Sequence, residues 1–203
     1  MGQISVSIVL YKTPRAMLDR AADSLLASKE LETLYLVDNF PGGENPYPGR
    51  ERLVYLNSGR NLGYGAAHNL VMLDKAKLAK YHLVMNPDVC FEPNTLETIL
   101  AFMEATPSVG LCMPKILNSD GSLQYQCKML PSPFDLLIRR FLPESFFKAR
   151  RASFELRSFS HDRQLDAPYL NGSFMFLRSS ELEKVGGFDE RIYIRGAKAV
   201  NYG

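Results

Sequence analysis

The segment Tyr81-His-Leu-Val-Met-Asn-Pro-Asp-Val-Cys-Phe91 decides how the chain reads. Leu83, Val84 and Met85 form an apolar run of buried-strand length, and it stops at Asn86, Pro87 and Asp88. Pro87 lacks a backbone donor and fixes its own φ, so a sheet cannot run through it. A carboxylate is therefore expected at the carboxyl end of a strand. In an open α/β sheet that is the ligand-binding edge, and a carboxylate there suits a hard divalent cation carrying phosphates. Taken alone, Asn-Pro-Asp reads equally well as an ordinary turn.

Working outward, the same pattern recurs twice. Ile4 to Leu10 predicts a first strand ending at Tyr11 and Lys12, and Leu34 to Val37 a second ending at Asp38 and Asn39. If these strands are parallel neighbours, Tyr11 and Lys12, Asp38 and Asn39, and Asn86 to Asp88 share one sheet edge and can meet one ligand. Asp38 would accept hydrogen bonds from a base or sugar, and Asp88 would hold a metal.

Between the strands, Pro14 opens a helix that reaches about Ala27, and Leu53 to Leu56 is a third strand. Asn57 to Gly65 leads into a helix expected from Ala66 to about Ala79. Asn94 and Glu97 have the spacing of a capping box, and Val109 to Met113 reads as another buried strand. Strand and helix alternating over residues 1–113 predict a mostly parallel sheet with helices on both faces, a nucleotide-binding layout. Further on, Asn118-Ser-Asp-Gly121 predicts a hairpin turn, Tyr169 to Leu177 a strand, and Ser180 with Glu183 a capped helix stopped by Gly186.

The totals exclude several classes. A 203-residue chain with 46% hydrophobic and 23% charged residues is an ordinary globular composition. Its net charge of +2 gives no reason to expect nucleic acid. Cys90, Cys112 and Cys127 form no Cys-x-x-Cys pair, so neither a disulfide framework nor a zinc site is expected, and reduced thiols in a cytoplasmic protein are. No run approaches the length of a membrane span. A Walker-type loop is absent, and Gly63-Tyr-Gly65 is an incomplete dinucleotide fingerprint because His68 fills the third glycine's place. His68 and His82 lack metal-ligand spacing and are expected to be structural. Small residues opening that helix still let backbone amides approach a diphosphate.

Ser5-Ile8-Val9-Tyr11, Leu36-Val37-Asp38-Asn39, Asn61-Leu-Gly63-Tyr-Gly65-Ala-Ala67-His-Asn69 and Asn86-Pro-Asp-Val89, in this order, resemble family 2 glycosyltransferases. Pro114-Lys115 with Asp120-Gly-Ser-Leu-Gln124, Gly172-Ser-Phe-Met175 and Gly186-Gly-Phe-Asp-Glu190 resemble the rhamnosyltransferase-like branch that builds bacterial surface polysaccharides, O-antigen and capsule among them. The resemblance covers nearly the whole chain. It implies the GT-A type nucleotide-diphospho-sugar transferase fold, α/β, as a single domain over 1–203, with 1–113 the nucleotide half and 114–203 an acceptor-side half incomplete at its end.

It also implies roles. Tyr11, Asp38, Asn39, Asn61, Gly63 and Asn86 would border the donor. Asp88 would coordinate Mg²⁺ or Mn²⁺ on its diphosphate, with Asn86 standing where many members carry a first Asp. Gly172, Ser173 and Met175 would face the donor sugar and acceptor. The expected reaction is inverting transfer of rhamnose or a related hexose, dTDP-rhamnose preferred, to a lipid-linked glycan. A base must lie opposite the metal, so Asp88 cannot serve as both. In the family that base follows Gly-Phe-Asp-Glu in a Glu-Asp pair, yet no Asp or Glu occurs after Glu190 here. Asp189 and Glu190 are weak substitutes, and a truncated chain that binds nucleotide sugar without transferring it is the alternative expectation. Finally, residues 134–151 mix apolar side chains with Arg139, Arg140, Lys148, Arg150 and Arg151. They suggest either a membrane-interfacial helix, giving peripheral attachment to the cytoplasmic membrane, or a solvated basic face.

Overall fold

The computed structural model of the chain describes residues 2–118, 120–124, 127–128, 164–167 and 169–191. Two compact units emerge, one formed by Met1–Cys112 with Gly172–Gly203 and the other by Met113–Asn171. In the first, β1 (Ile4–Leu10), α1 (Arg15–Leu26), β2 (Leu31–Asp38), β3 (Leu53–Asn57), α2 (Tyr64–Met72), β4 (Tyr81–Met85), α3 (Thr95–Ala105), β5 (Leu111–Cys112) and, later, β10 (Phe174–Arg178) and α4 (Ser179–Val185) follow in chain order. The second unit holds two antiparallel pairs. One joins β6 (Ile116–Leu117) and β7 (Leu123–Gln124), and the other β8 (Cys127–Lys128) and β9 (Tyr169–Leu170).

The six-stranded sheet runs β3-β2-β1-β4-β10-β5. β3, β2, β1 and β4 are mutually parallel, whereas β10 runs antiparallel to both β4 and β5. Parallel strands are buried on both faces, and β1 and β4 are accordingly buried almost throughout. Tyr35 and Val37 of β2 pack on Ala67 and Val71 of α2, and Val84 of β4 packs on Met72 and Leu182. Strand residues alternate, so Leu34, Leu36, Leu83 and Phe176 bury the opposite face. Arg178 reaches that side too, donating to the Met103 carbonyl of α3 at 2.8 Å.

The sequence placed β1, β2, β3, β4 and the Asn118–Gly121 hairpin well, and it misjudged several boundaries. The helix expected through Ala79 ends at Met72, because the Asp74 side chain caps a separate 3₁₀ turn, Lys75–Lys77, by accepting from the Ala76 amide. Neither capping box forms. Asn94 makes no side-chain cap, and Glu97 turns instead to Lys29 at 3.4 Å. At α4, Ser179 rather than Ser180 opens the helix, its hydroxyl donates to the Ala79 carbonyl, and Glu183 pairs with Lys75. Gly186 does stop α4, at φ 81°. The strand expected over 169–177 is broken at Gly172 and Ser173 into β9 and β10, and that over 109–113 shrinks to Leu111–Cys112. The amphipathic stretch 134–151 lies outside the described residues.

Ser5, Ser7, His68 and His82 form a polar seam inside the core. The Ser7 hydroxyl touches His68 Nδ1 at 2.7 Å and His82 Nε2 at 2.9 Å, and Ser5 Oγ meets His82 Nδ1 at 2.9 Å. One hydroxyl proton cannot serve two neighbours, so Ser7 donates to one ring and accepts from the other. Burial pushes both imidazoles down from 6.5 to about 3, His68 further under the influence of His82. Both are thus neutral in the folded chain, as structural histidines should be. Each takes up its proton only on unfolding, so stability is complete above pH 6.5 and is lost as pH falls below it toward the folded value. The unfolding free energy should hold constant between about pH 8 and 7 and fall from about pH 6 to 4.5, by up to about 1.4 kcal/mol per pH unit for each ring. A flat profile over that window in a urea titration contradicts neutral burial.

Candidate functional site

The three strands whose ends matter lie side by side as β2-β1-β4, all parallel. Tyr11, Asp38 and Asn86 therefore leave the sheet on one rim, and Asp38 and Asp88 follow β2 and β4, the two strands that flank β1 and lie about 10 Å apart by two strand spacings. The sequence-derived rim exists in the fold.

Asp38 closes β2 and is 8% exposed. Its Oδ1 accepts the Phe40 amide at 2.8 Å, and its Oδ2 accepts the Tyr55 hydroxyl at 2.9 Å. Burial and this bond push Tyr55 up to about 12, so the phenol is a donor at neutral pH. Asn57, two residues on and on the same face of β3, donates to the carbonyls of Gly43 and Phe40 at 3.0 and 3.3 Å. The Asp38 carboxylate is thus fixed from β3 while retaining lone pairs for a further donor. A cleft of about 150 Å³ opens beside it, lined by Leu10, Lys12, Thr13, Asp38, Phe40 and Pro46. Lys12 adopts φ 53°, and its Nζ lies 5.1 Å from the Phe40 ring centre. Tyr11, 46% exposed, meets the same ring edge-on at 6.2 Å.

Asn39 and Asn61 build the loop before α2. Buried Asn39 donates to the Gly63 carbonyl at 2.9 Å and accepts from Ser58, while Asn61 Oδ1 accepts the Gly63 amide at 2.9 Å. Gly63 sits at φ 82°, a conformation that favours glycine, and its carbonyl begins the helical bonding of α2. These residues shape the helix entrance.

At the β4 end, Asn86 donates its amide to the Ser173 carbonyl at 2.9 Å and accepts from the Val89 amide, closing the Asn-Pro-Asp turn. That turn leaves Asp88 exposed. Among the described residues nothing hydrogen-bonds or ion-pairs with its carboxylate, and no group of three or more His, Cys, Asp or Glu gathers to hold a metal ion. Open carboxylate lone pairs fit a hard cation, and a cation held there would take its remaining ligands from a bound phosphate or water. The Asp88 charge also reaches Tyr64 at the start of α2. Burial first and this charge second raise the Tyr64 phenol, which donates to the Gly172 carbonyl at 2.5 Å.

The remaining predicted residues divide. Gly172 lies against Tyr64, and the Ser173 hydroxyl is buried without a partner among the described residues. Met175 is not on the rim: it sits in β10 opposite Val84, in the apolar cluster with Met72 and Leu182. Asp189 is ion-paired with Arg191 at 2.6 Å, which keeps its carboxyl below the usual range, and Glu190 accepts from Asn69 at 3.0 Å. Sequence reasoning missed Tyr55 and the Tyr64 side chain. The spacing of Tyr55 and Asn57 on one face of β3 was the available signal.

No family model matches the chain. It is 27% identical to N-acetylglucosaminyl-diphospho-decaprenol L-rhamnosyltransferase of two Mycobacterium tuberculosis strains, over 96% of this chain and 67% of the relative. Among solved structures, it resembles S. aureus TarS 1-349 with TM-score 0.59 at 15% identity, covering 95% of this chain and 52% of that one. It also resembles the mannosyltransferase PcManGT of Pyrobaculum calidifontis, in complex with GDP-Man and Mn²⁺, with TM-score 0.56 at 15% identity over 94% and 48%. GalNAc-T7, solved with UDP, GalNAc and Mn²⁺, gives TM-score 0.62 at 14% identity over 96% and 38%. The chain therefore spans about two thirds of its curated relatives and between 38% and 52% of these solved chains, and it has the GT-A glycosyltransferase fold.

Gly43 tests the Asp38 anchor. A Cβ there would stand 2.0 Å from Asp38 Oδ2 and 2.8 Å from the Tyr55 hydroxyl, so Gly43→Ala should displace the pair and destabilise the fold by about 1–3 kcal/mol. Tyr55→Phe should cost only about 1 kcal/mol, the loss of one hydrogen bond. Equal denaturation midpoints for wild type and Gly43→Ala contradict the anchor.

Proposed function

We propose that this chain, similar in sequence to a rhamnosyltransferase and alike in fold to nucleotide-sugar transferases, binds a nucleoside-diphosphate sugar and transfers its sugar. The observation that carries the reading is the alignment of a fixed carboxylate, Asp38, and an open one, Asp88, along the carboxyl ends of the two parallel strands that flank β1. Ligands of open α/β sheets bind at that edge.

In this reading Asp38 accepts from the base, with Phe40 and Tyr11 offering aromatic surface beside it. Gly63, at φ 82° before α2, lets helix amides approach the diphosphate. Asp88 holds Mg²⁺ or Mn²⁺, which when bound neutralises charge on the departing diphosphate. Gly172 and Ser173 lie on the sugar side. The preferred donor is dTDP-rhamnose, the acceptor a lipid-linked glycan, and the setting surface-polysaccharide synthesis at the inner face of the cytoplasmic membrane. This preference rests on the decaprenol-linked rhamnosyltransferase relative and on the sequence motifs. Among the described residues no helix is long and apolar enough to cross a membrane, and peripheral contact through 134–151 belongs to the proposal.

Inversion requires a base on the sugar face opposite the diphosphate, with an oxocarbenium-like transition state between them. Asp189 and Glu190 are poor bases as they stand. Arg191 holds Asp189 in its ionised form, below the range useful at neutral pH, and Asn69 ties down one oxygen of Glu190. Both fit better as shaping residues. Their engagement favours a second reading, in which the 203-residue chain binds the donor without completing transfer.

Calorimetry separates the possibilities. With a single protein carboxylate, Mn²⁺ alone should bind weakly, and dTDP or UDP should tighten it by at least about tenfold through shared coordination. Asp88→Ala should abolish that synergy while leaving stability within about 0.5 kcal/mol, since the side chain is exposed and has no partner among the described residues. Nucleotide binding equal with and without metal contradicts the Asp88 role, and binding without glycan extension supports the second reading.

A further inference from the structure

Asn69 lies on the inner face of α2, is 5% exposed, and belongs to no part of the nucleotide rim. Among the described residues its amide bonds to one distant segment. Nδ2 donates to the Phe188 carbonyl at 2.9 Å and to Glu190 Oε1 at 3.0 Å, and Oδ1 accepts the Phe188 amide at 2.8 Å. The side chain thereby pairs with residue 188 as a neighbouring strand would, in both directions, across 119 residues of sequence.

The approach is close enough to dictate composition. A Cβ on Gly187 would stand 2.2 Å from Asn69 Oδ1, and one on Gly65 would stand 2.8 Å from the Phe188 Cβ. Two glycines from opposite ends of the unit are thus needed for this contact to form. Phe188, once seated, meets the Tyr64 ring at 5.8 Å and the His68 ring at 6.0 Å. Tyr64 in turn holds the Gly172 carbonyl, and the next residue's carbonyl, that of Ser173, receives the Asn86 amide in the turn bearing Asp88. A continuous path of packed rings and hydrogen bonds therefore leads from Asn69 to the Asp88 turn. It approaches that turn from the β10 side of the sheet, whereas Asp38 and Tyr55 lie beyond β1 on the other flank.

We infer that Asn69 is a positioning residue for the sugar half of the site. It clamps Gly187–Glu190 onto α2, so that Phe188 and Tyr64 form the wall that a donor sugar meets, while the nucleotide half is built independently of it. The inference rests on the nucleotide-sugar reading above and adds to it a residue that touches no ligand.

Three measurements on the whole chain test it. Hydrogen exchange comes first: Asn69→Ala should speed exchange of the Phe188 amide by at least about tenfold, the release expected from losing its acceptor. Second, titrations with Mn²⁺ present should split. Asn69→Ala should weaken dTDP-rhamnose, or another nucleotide sugar that the wild type binds, by about tenfold while changing the affinity for dTDP or UDP alone by less than about twofold. Parallel losses for both ligands, or none for either, overturn the positioning role, because general destabilisation has no reason to distinguish them. Third, Gly187→Ala should be strongly destabilising in the wild type and much less so beside Asn69→Ala, where the clashing oxygen is gone; strict additivity overturns the clamp. If the wild type binds no nucleotide at all, the functional reading fails and the positioning role with it, and the exchange and additivity results still decide whether the clamp exists.

Discussion

Parallel pairing of β2, β1 and β4 in a register that ends them on one rim is the constraint on which everything else depends. Parallel strands cannot be joined by tight turns, so each connection crosses over a face of the sheet and returns to the same starting edge. Every strand then finishes at the opposite edge, and whatever polar residue follows it is delivered there. Asp38 and Asp88, 50 positions apart in the chain, become neighbours for this reason alone. A one-residue slip of β4 would turn Val84 and Met85 to the wrong faces and carry Asp88 with them, which the burial of both faces forbids.

The two carboxylates on that rim are prepared differently. Asp38 is buried, doubly hydrogen-bonded and backed by Tyr55, a rigid acceptor suited to reading a fixed hydrogen-bond donor. Asp88 is exposed and, among the described residues, without a partner, which leaves its oxygens free to ligate. A fixed acceptor at one end and an available anion at the other suit a ligand with a base at one end and phosphates at the other. Buried polar contacts elsewhere tie the frame together. The Ser7–His68 bond joins β1 to α2, and Asn39 joins β2 to the entrance of the same helix.

Local signals made much of this legible. Apolar runs ending in polar punctuation located β1, β2 and β4, and with them the rim. Misreadings arose where a distant partner outbid a local one. Glu97 and Glu183 had capping-box spacing, yet a lysine from another element claimed each. Asp74 ended α2 early by capping its own turn. Met175, within a motif carrying a functional resemblance, lies half-buried opposite Val84, because β10 enters the sheet antiparallel and turns alternate residues toward the cluster formed by Met72, Val84 and Leu182. Tyr55 left only its spacing with Asn57 as a signal and Asn69 left none, since their importance lies in contacts 17 and 119 residues away.

The most direct test of the shared rim is to locate a bound cation and nucleotide together by backbone-amide NMR. Titrating Mn²⁺ in the presence of dTDP or UDP should broaden amides of Asn86–Val89 and the entrance of α2 most strongly, while diamagnetic Mg²⁺ with the same nucleotide shifts Asp38–Phe40. Broadening centred elsewhere, at Asp189 and Glu190 for example, or nucleotide shifts confined to residues away from β2, would contradict it.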